Sequence, residues 1–569
     1  MACVFLASIV VVGWSSARLS KVSGSLQTLM ERNDHDSTVD VWIFFNRKSS
    51  IKQMDSFLSD KALKRRAIHG VGTDLLDVPV DEALVFKCEE AGLKSRHTSK
   101  WLNAVSGSIK LSDLKAILKY EFVSYVQPVG RHKVPRPISE YQRLTRGSSD
   151  PDVYGESFGQ LDLISVPEVH EMGFYGQGVT IAVFDNGFRL LGHEAFESLN
   201  IVATKDFVDH KEDVVPVNPS PAFGSHGVFT LAVLGGYAPG SLVGPAIKSD
   251  FILARTENDS GETSVEEDNW VAALEWAEGL GADIVSSSVS YLEMDAGSLR
   301  SYDWTWMNGD STVITKAANL AVSRGMIIVN SAGNEGFNSS HNTLSAPADG
   351  DSVIATGAID VTGARAWFSS VGPTTKGRIK PDVMASGVRI LSASSTNEKE
   401  YVFVDGTSFA CPLTAGVCAL ILSAHPGLSS SEVRYALLQT SSTALSPDNT
   451  TGYGTINAKS AVTYFGLTGS PLPKFPPVRF KLLQNFPNPF NSATTIKYDQ
   501  AIEGRIRLTI FNVLGQKVRR LVDRIQPVGR YEAVWDAKSD RGETVASGLY
   551  FYKLDGPGFS STKKLIHLK

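Results

Sequence analysis

The middle of this 569-residue chain predicts an α/β fold, a parallel sheet flanked by helices. Between Tyr154 and Tyr464, apolar runs (VTIAVFD, FILART, ADIVSSSVS, MIIVNSAGN) alternate with helical ones (GVFTLAVLGG, SVEEDNWVAALEWAEGLG, ITKAANLAVSRG). Runs that are apolar on both faces suit strands covered on both sides, and the helices between them supply the crossovers that parallel pairing needs. The two flanks read differently. Asp40 to about Arg131 mixes short β-like runs (VDVWIFF, SYVQPV) with amphipathic ones (SDLKAILKYE), predicting a small α+β unit. Lys481–Lys569 alternates by twos (ATTIKYD, RIRLTIFNV, YEAVWDA, GLYFYKL) with Gly and Asn at the breaks, predicting a small antiparallel β-sandwich.

Taken in order, Ala2–Trp14 is an apolar run too short to span a bilayer and is followed by Ser15-Ser16-Ala17. It reads as an export signal over residues 1–17 cleaved after Ala17, with a buried N-terminal strand as the alternative. The α+β unit is assigned to 18–131. The polar, Pro-containing stretch after it (132–153) reads as an exposed linker, and 466–480 (LTGSPLPKFPPVRF in its core) as a Pro-rich one. Lys+Arg 55 against Asp+Glu 60 leaves a net charge of −5, so nothing electrostatic recommends nucleic acid or an anionic membrane as partner. Four cysteines make no disulfide scaffold: Cys3 would leave with the signal. Cys411 and Cys418 lie seven apart in a helix-like run, about 10 Å, beyond bridging distance.

Strand ends in such a sheet gather functional residues, and here they carry Asp185, Ser288 and Asn334. The segment DGTSFACPLTAGVCALIL offers two nucleophiles, Ser408 and Cys411. Gly406 permits a tight turn, which places Ser408 at the start of a helix, where unpaired N–H groups stabilise a developing oxyanion. Pro412 is expected in the first turn, where no helical N–H bond is lost. Cys411 reads as a packing residue. A serine needs a base, itself oriented by a carboxylate. His226, at a Gly-bounded helix entrance, and Asp185, ending VTIAVFD, fill those roles, and Asn334 in VNSAGNEG could donate an amide N–H to the oxyanion.

With VTIAVFDNGF, SHGVFTLAVLGG, IIVNSAGNEG and GTSFACPLTAGVCALI in that order, and FSSVGPTTKGRIKPDVMASG before the last, the region 154–465 resembles the subtilisin-like serine peptidases. The resemblance implies a subtilisin-like fold and an Asp185–His226–Ser408 triad acting through an acyl-enzyme. It also implies an oxyanion hole from Asn334 and the Ser408 N–H, and substrate strands at Ser288-Val289-Ser290 and Ser331-Ala332-Gly333. Where the family carries Thr or Ser, Thr, Met, and Ser or Thr, this chain has Asn186, Val228, Phe409 and Cys411; Ser290 and Tyr291 stand where it often has two glycines, so a side chain there could narrow the cleft. An inactive binding protein or an esterase are the competing functions.

The N-terminal unit (WIFFNRKS, LSDKALKRRAIHGVGTDLLDVPVDE, YEFVSYVQPV) resembles the propeptides of secreted subtilases. That implies a zymogen whose propeptide assists folding and inhibits the cleft until cut in the linker; a permanently attached interaction domain is the alternative. The tail, with Asn485-Phe486-Pro487-Asn488-Pro489, Asn512-Val513-Leu514-Gly515 and Ser547-Gly548-Leu549-Tyr550, is similar to the sorting domains of the type IX secretion machinery of Gram-negative bacteria. It implies export through the periplasm to the surface or medium; the alternative is an accessory sandwich binding substrate or carbohydrate. The expected partners are protein or peptide substrates, and the expected state is a monomer. No cofactor is expected for catalysis; a structural calcium ion is left open, with the acidic Glu266-Glu267-Asp268 read as a solvated helix face.

Overall fold

A computed structural model describes residues 21–31, 37–48, 58–129, 140–141, 153–218, 220, 223–258, 267–292, 302–466, 480–500 and 502–568. The expected export signal lies outside these residues, as do most of the two expected linkers. The chain divides into two compact units, Met1–Leu467 and Thr468–Lys569.

In the first unit, strands β1 (Thr38–Phe45), β2 (Lys94–Ser99), β3 (Ala104–Lys110) and β4 (Val123–Pro128) form an antiparallel sheet ordered β2-β3-β1-β4. Helices α1 (Gly24–Glu31), α2 (Asp60–Ile68), α3 (Glu82–Glu90) and α4 (Leu111–Ile117) accompany it. The strand TVDVWIFF explains both faces by its period of two. Val39, Val41, Ile43 and Phe45 pack with Leu84, Cys88, Leu114 and Ile117 of the unit's own helices. Trp42 points the other way and joins a cluster with Trp270, Leu274 and Ala277 of the central region.

The central region begins with β5 (Glu140–Tyr141), α5 (Phe158–Asp162) and α6 (Val166–Glu171). There follow β6 (Thr180–Asp185), β7 (Asn200–Asp206), α7 (Ser225–Gly235), the short pair β8 (Tyr237–Ala238) and β9 (Leu242–Val243), β10 (Asp250–Arg255), α8 (Glu267–Leu280) and β11 (Ile284–Ser287). Next come α9 (Val313–Ser323), β12 (Ile327–Ser331), β13 (Ile354–Ile359), β14 (Val383–Ser386), β15 (Ile390–Ala393), β16 (Tyr401–Val404) and α10 (Thr407–Ala424). Seven strands pair in parallel, in the order β14-β13-β12-β11-β6-β10-β7, as the near-continuous apolar runs predict. Helix α10 rests on β11, β12, β13 and α7, while α8 and α9 pack together against β6 and β12. Among the described residues α10 is the one helix long and apolar enough to cross a membrane, and it is the buried core helix.

The second unit has a three-stranded sheet (Lys481–Leu482, Thr494–Gln500, Gly529–Trp535) and a four-stranded one (Lys517–Gln526, Gly504–Phe511, Gly548–Gly556, Phe559–His567), both antiparallel. Ile496, Tyr498, Leu508, Trp535 and Tyr552 share its core. The Asn485 turn is built into this core: its N–H donates to the Tyr552 hydroxyl (2.9 Å), and its Nδ2 donates to Thr494 Oγ1 (2.9 Å).

Candidate active site

The carboxyl end of β6 carries Asp185, fully buried, where three donors converge. His226 Nδ1–H donates to Oδ1 at 2.7 Å, the Asn186 N–H to the same oxygen at 2.8 Å, and Thr230 Oγ1 to Oδ2 at 2.9 Å. Thr230 follows His226 by one helical turn on α7, so both reach the carboxylate from the same helix face. Asn186 also accepts from the Gly227 N–H at 3.1 Å, tying the start of α7 to the end of β6. Gly227 must be glycine here: a Cβ would come within 2.2 Å of the Gly187 carbonyl oxygen.

The nucleophile candidate stands at the second position of α10, after Gly406 with φ of 153°, a conformation L side chains rarely adopt. Ser408 is buried, and its hydroxyl donates a long 3.4 Å bond to the Ser288 carbonyl. The Phe409 ring lies 5.7 Å from the His226 ring, so the residue after the serine buttresses the base. Cys411 lies on the inner side of the helix. Its thiol donates to the carbonyls of Ser287 and Val329 (both 3.4 Å), and burial pushes it up to about 12.

Asn334 is brought against the same turn. Its Oδ1 accepts from the Thr407 N–H (3.0 Å) and the Thr407 hydroxyl (2.8 Å), which leaves Nδ2 as the atom able to donate. Ser288, Val289 and Ser290 continue from β11, and Ser331, Ala332 and Gly333 from the adjacent β12, so both segments run beside the start of α10. They are buried. Val289 points into the core, and Tyr291 is also turned inward, its hydroxyl donating to Glu257 at 2.7 Å; it does not narrow the cleft.

Pro412 is not in the first turn. It is the sixth residue of α10, where a helical N–H would bond the Ser408 carbonyl. Proline has no N–H, and the Ser288 hydroxyl donates to that carbonyl instead, at 2.8 Å. Ser288 therefore completes the helix ladder directly behind Ser408, the candidate nucleophile. Ser288→Ala is expected to lower kcat by about ten- to a hundred-fold, since small misplacements of a reacting group are costly. In a Pro412→Ala background, where residue 412 regains an N–H, the same substitution should cost less than about two-fold. Equal losses in both backgrounds would count against this account.

The N-terminal unit lies on α8 through buried charges. Arg66 forks onto Asp77 (2.7 and 2.8 Å) and donates from Nε to Glu278 (2.8 Å), which also accepts from Arg65 (2.6 Å). Glu275 accepts from the Ser99 hydroxyl and the N–H groups of Lys100 and Trp101, and Arg96 meets Asp268 at 2.7 Å. The solvated acidic face expected for Glu266-Glu267-Asp268 is thus corrected. Glu267 and Asp268 are fully buried, Glu267 accepting from the Tyr302 hydroxyl (2.7 Å) and the Ile314 N–H (3.2 Å); Glu266 lies outside the described residues. The helix alone would expose these acids, but Tyr302 and the start of α9 cover Glu267, and Arg96 of the N-terminal unit covers Asp268. Among the described residues no group of three or more His, Cys, Asp or Glu side chains is placed to hold a metal, and Asp268, an acid of that cluster, is engaged by Arg96.

A buried carboxylate on a histidine, beside a serine at a helix start and an amide donor, is the constellation of a serine hydrolase on an α/β sheet. The Subtilase family model matches residues 176–454, the Peptidase S8 propeptide domain of Bacteroidota matches 40–142, and the Secretion system C-terminal sorting domain matches 484–568. Subtilisin DY of Bacillus licheniformis is 32% identical over 301 residues, 53% of this chain and 97% of its own length. Subtilisin E of Bacillus subtilis is 28% identical over 373 residues, 65% of this chain and 84% of its own. The crystal structure of fervidolysin from Fervidobacterium pennivorans superposes with a TM-score of 0.53 at 20% identity, covering 94% of this chain and 77% of that one; it supports the fold alone. The chain belongs to the subtilase family and is a serine endopeptidase of the subtilisin type, with a propeptide and a type IX sorting domain.

Proposed function

We propose that the protein is a secreted zymogen whose mature form cleaves protein substrates through Ser408, His226 and Asp185. The observation that carries this is the convergence of three donors on buried Asp185, which fixes the His226 ring by its Nδ1 and leaves Nε2 as the nitrogen for proton transfer. Ser408 Oγ attacks the scissile carbonyl as His226 takes its proton. The tetrahedral oxyanion accepts from Asn334 Nδ2 and the Ser408 N–H, and the positive end of α10 adds to that field. Collapse expels the amine, which takes the proton from His226, and water then hydrolyses the acyl-enzyme by the same relay.

The N-terminal unit is the inhibitor in this reading. Its four cations Lys61, Arg65, Arg66 and Arg96 face Asp283, Glu278 and Asp268 on and after α8, and the Arg65 and Arg66 pairs with Glu278 are buried on both sides. The residues 130–139 that would carry the chain onward from β4 lie outside the described residues. The backbone resumes in β5, which pairs antiparallel with β16, just ahead of Asp405 and the nucleophile turn. Secretion follows the C-terminal sorting domain, through the periplasm and outward. Production of wild type and Ser408→Ala tests the reading together. Wild type should hydrolyse casein and appear as a form cut within residues 130–151, and the variant should do neither. A wild type that is cut yet inert towards casein would defeat the peptidase assignment, and an active enzyme retaining residues 40–129 covalently would defeat the zymogen.

A further inference from the structure

Directly beyond Asn334 the chain forms a hydrogen-bonded loop ribbon with residues 368–370. The Ser370 N–H donates to the Gly333 carbonyl (3.1 Å), the Glu335 N–H to Ser370 Oγ (3.1 Å), and the Gly336 N–H to the Phe368 carbonyl (2.6 Å). The pairing runs antiparallel, so the next residues outward, Phe337 and Trp367, stand opposite each other. Thr343 braces both chains: its hydroxyl donates to the Gly336 carbonyl (2.5 Å) and accepts from the Val371 N–H (2.9 Å). Gly336 has φ of +69°, and a Cβ there would lie 3.0 Å from the Trp367 carbonyl oxygen, so the two backbones are held close.

On this ribbon the outward positions are aromatic. Phe337 is 60% exposed and Trp367 76% exposed, whereas Gly336 between the exposed Glu335 and Phe337 is buried, as are Ala366 and Phe368 on either side of Trp367. Trp367 meets the Phe368 ring edge-on at 5.7 Å and leaves most of its own surface in water. Two large apolar side chains left in water, on a backbone already rigid, lose little conformational entropy on meeting a ligand. Phe337 follows Asn334 by three residues, at most about 10 Å of extended chain. Whatever occupies the site at Ser408 therefore runs within reach of the pair.

We propose that Phe337 and Trp367 form an anchoring surface for large apolar side chains, aromatic ones foremost, of an extended polypeptide substrate bound across Ser408. The proposal rests on the peptidase reading. It predicts that residues several positions from the scissile bond contribute to affinity, and that substrates too short to reach the ribbon do not sense it. The aromatic rings act in binding only; they touch neither Ser408 nor His226 in the reaction derived above.

The test uses the processed enzyme with Phe337→Ser, Trp367→Ser and the double variant, all at exposed positions. Each is assayed by fluorophosphonate labelling, with a short chromogenic ester, and with twelve-residue peptides carrying Phe or Ser at positions remote from the cleaved bond. The double variant should label and hydrolyse the ester like wild type. Its KM for the Phe peptides should rise about ten-fold, the scale of one well-buried apolar contact, with kcat held and KM for the Ser peptides unmoved. An unchanged preference for Phe over Ser peptides in the double variant would overturn the proposal. Wild type that labels and cleaves the ester but no peptide would instead defeat the reading it rests on.

Discussion

Replacing Ser408 with alanine is expected to lower kcat by about a million-fold, the size of effect seen when the nucleophile of a subtilisin is removed, while Cys411→Ser stays within a few-fold of wild type. The two residues share a helix but not an environment. Ser408 is at the second position of α10, at the positive end of the helix, with Asn334 held against the preceding residue by two bonds to Thr407. Cys411 is one turn along, fully buried, with its thiol aimed at two strand carbonyls and pushed up to about 12, so it supplies no thiolate at neutral pH. A serine hydroxyl can donate to those same carbonyls, which is why the conservative change is tolerated. Burst kinetics with an active-site titrant separate the two variants. Residual turnover in Ser408→Ala within a hundred-fold of wild type would assign the nucleophile elsewhere.

The second large effect is expected at Asp185→Asn, a loss of about ten thousand-fold in kcat near neutral pH with little change in KM. The carboxylate has two oxygens, and both accept: one from His226 and the Asn186 N–H, the other from Thr230. An amide has a single acceptor oxygen. If that oxygen faces His226, the imidazolium formed during attack still loses the adjacent negative charge. If the NH₂ faces His226, two donors oppose each other and the ring turns to the wrong tautomer. The pH dependence of kcat/KM distinguishes this from a packing defect, because hydroxide can partly replace the missing base. Activity should climb steeply at high pH in the variant, and a loss that is the same at every pH would point to misfolding instead.

Much of the fold was legible because it rests on short-range patterns. VTIAVFD, FILART and MIIVNS are short runs apolar at successive positions, as strands covered on both faces are, and the tail alternates by twos as a one-sided sheet must. The four candidate residues could be named for a related reason: each stands at a break between an apolar run and small or turn residues. Thr230 was missed, although its spacing of four from His226 on one helix was available in the sequence. Pro412 was misplaced because the sequence does not fix where α10 begins, and an offset of a few residues moves the proline from a free position to one that breaks a bond.

The sequence by itself determined the strand and helix order, the Asp, His, Asn, Ser series and the character of the two flanking units. These follow from periodicity and turn chemistry within a dozen residues. Only the tertiary structure decided which groups meet. That Ser288 restores the bond Pro412 cannot make spans 120 residues, and that Arg65 and Arg66 bury Glu278 spans more than 200. Such partners are set by sheet register and by the docking of one unit on another. A side chain's own neighbours in sequence carry no record of either, which is why an acidic helix start could read as solvated and prove buried.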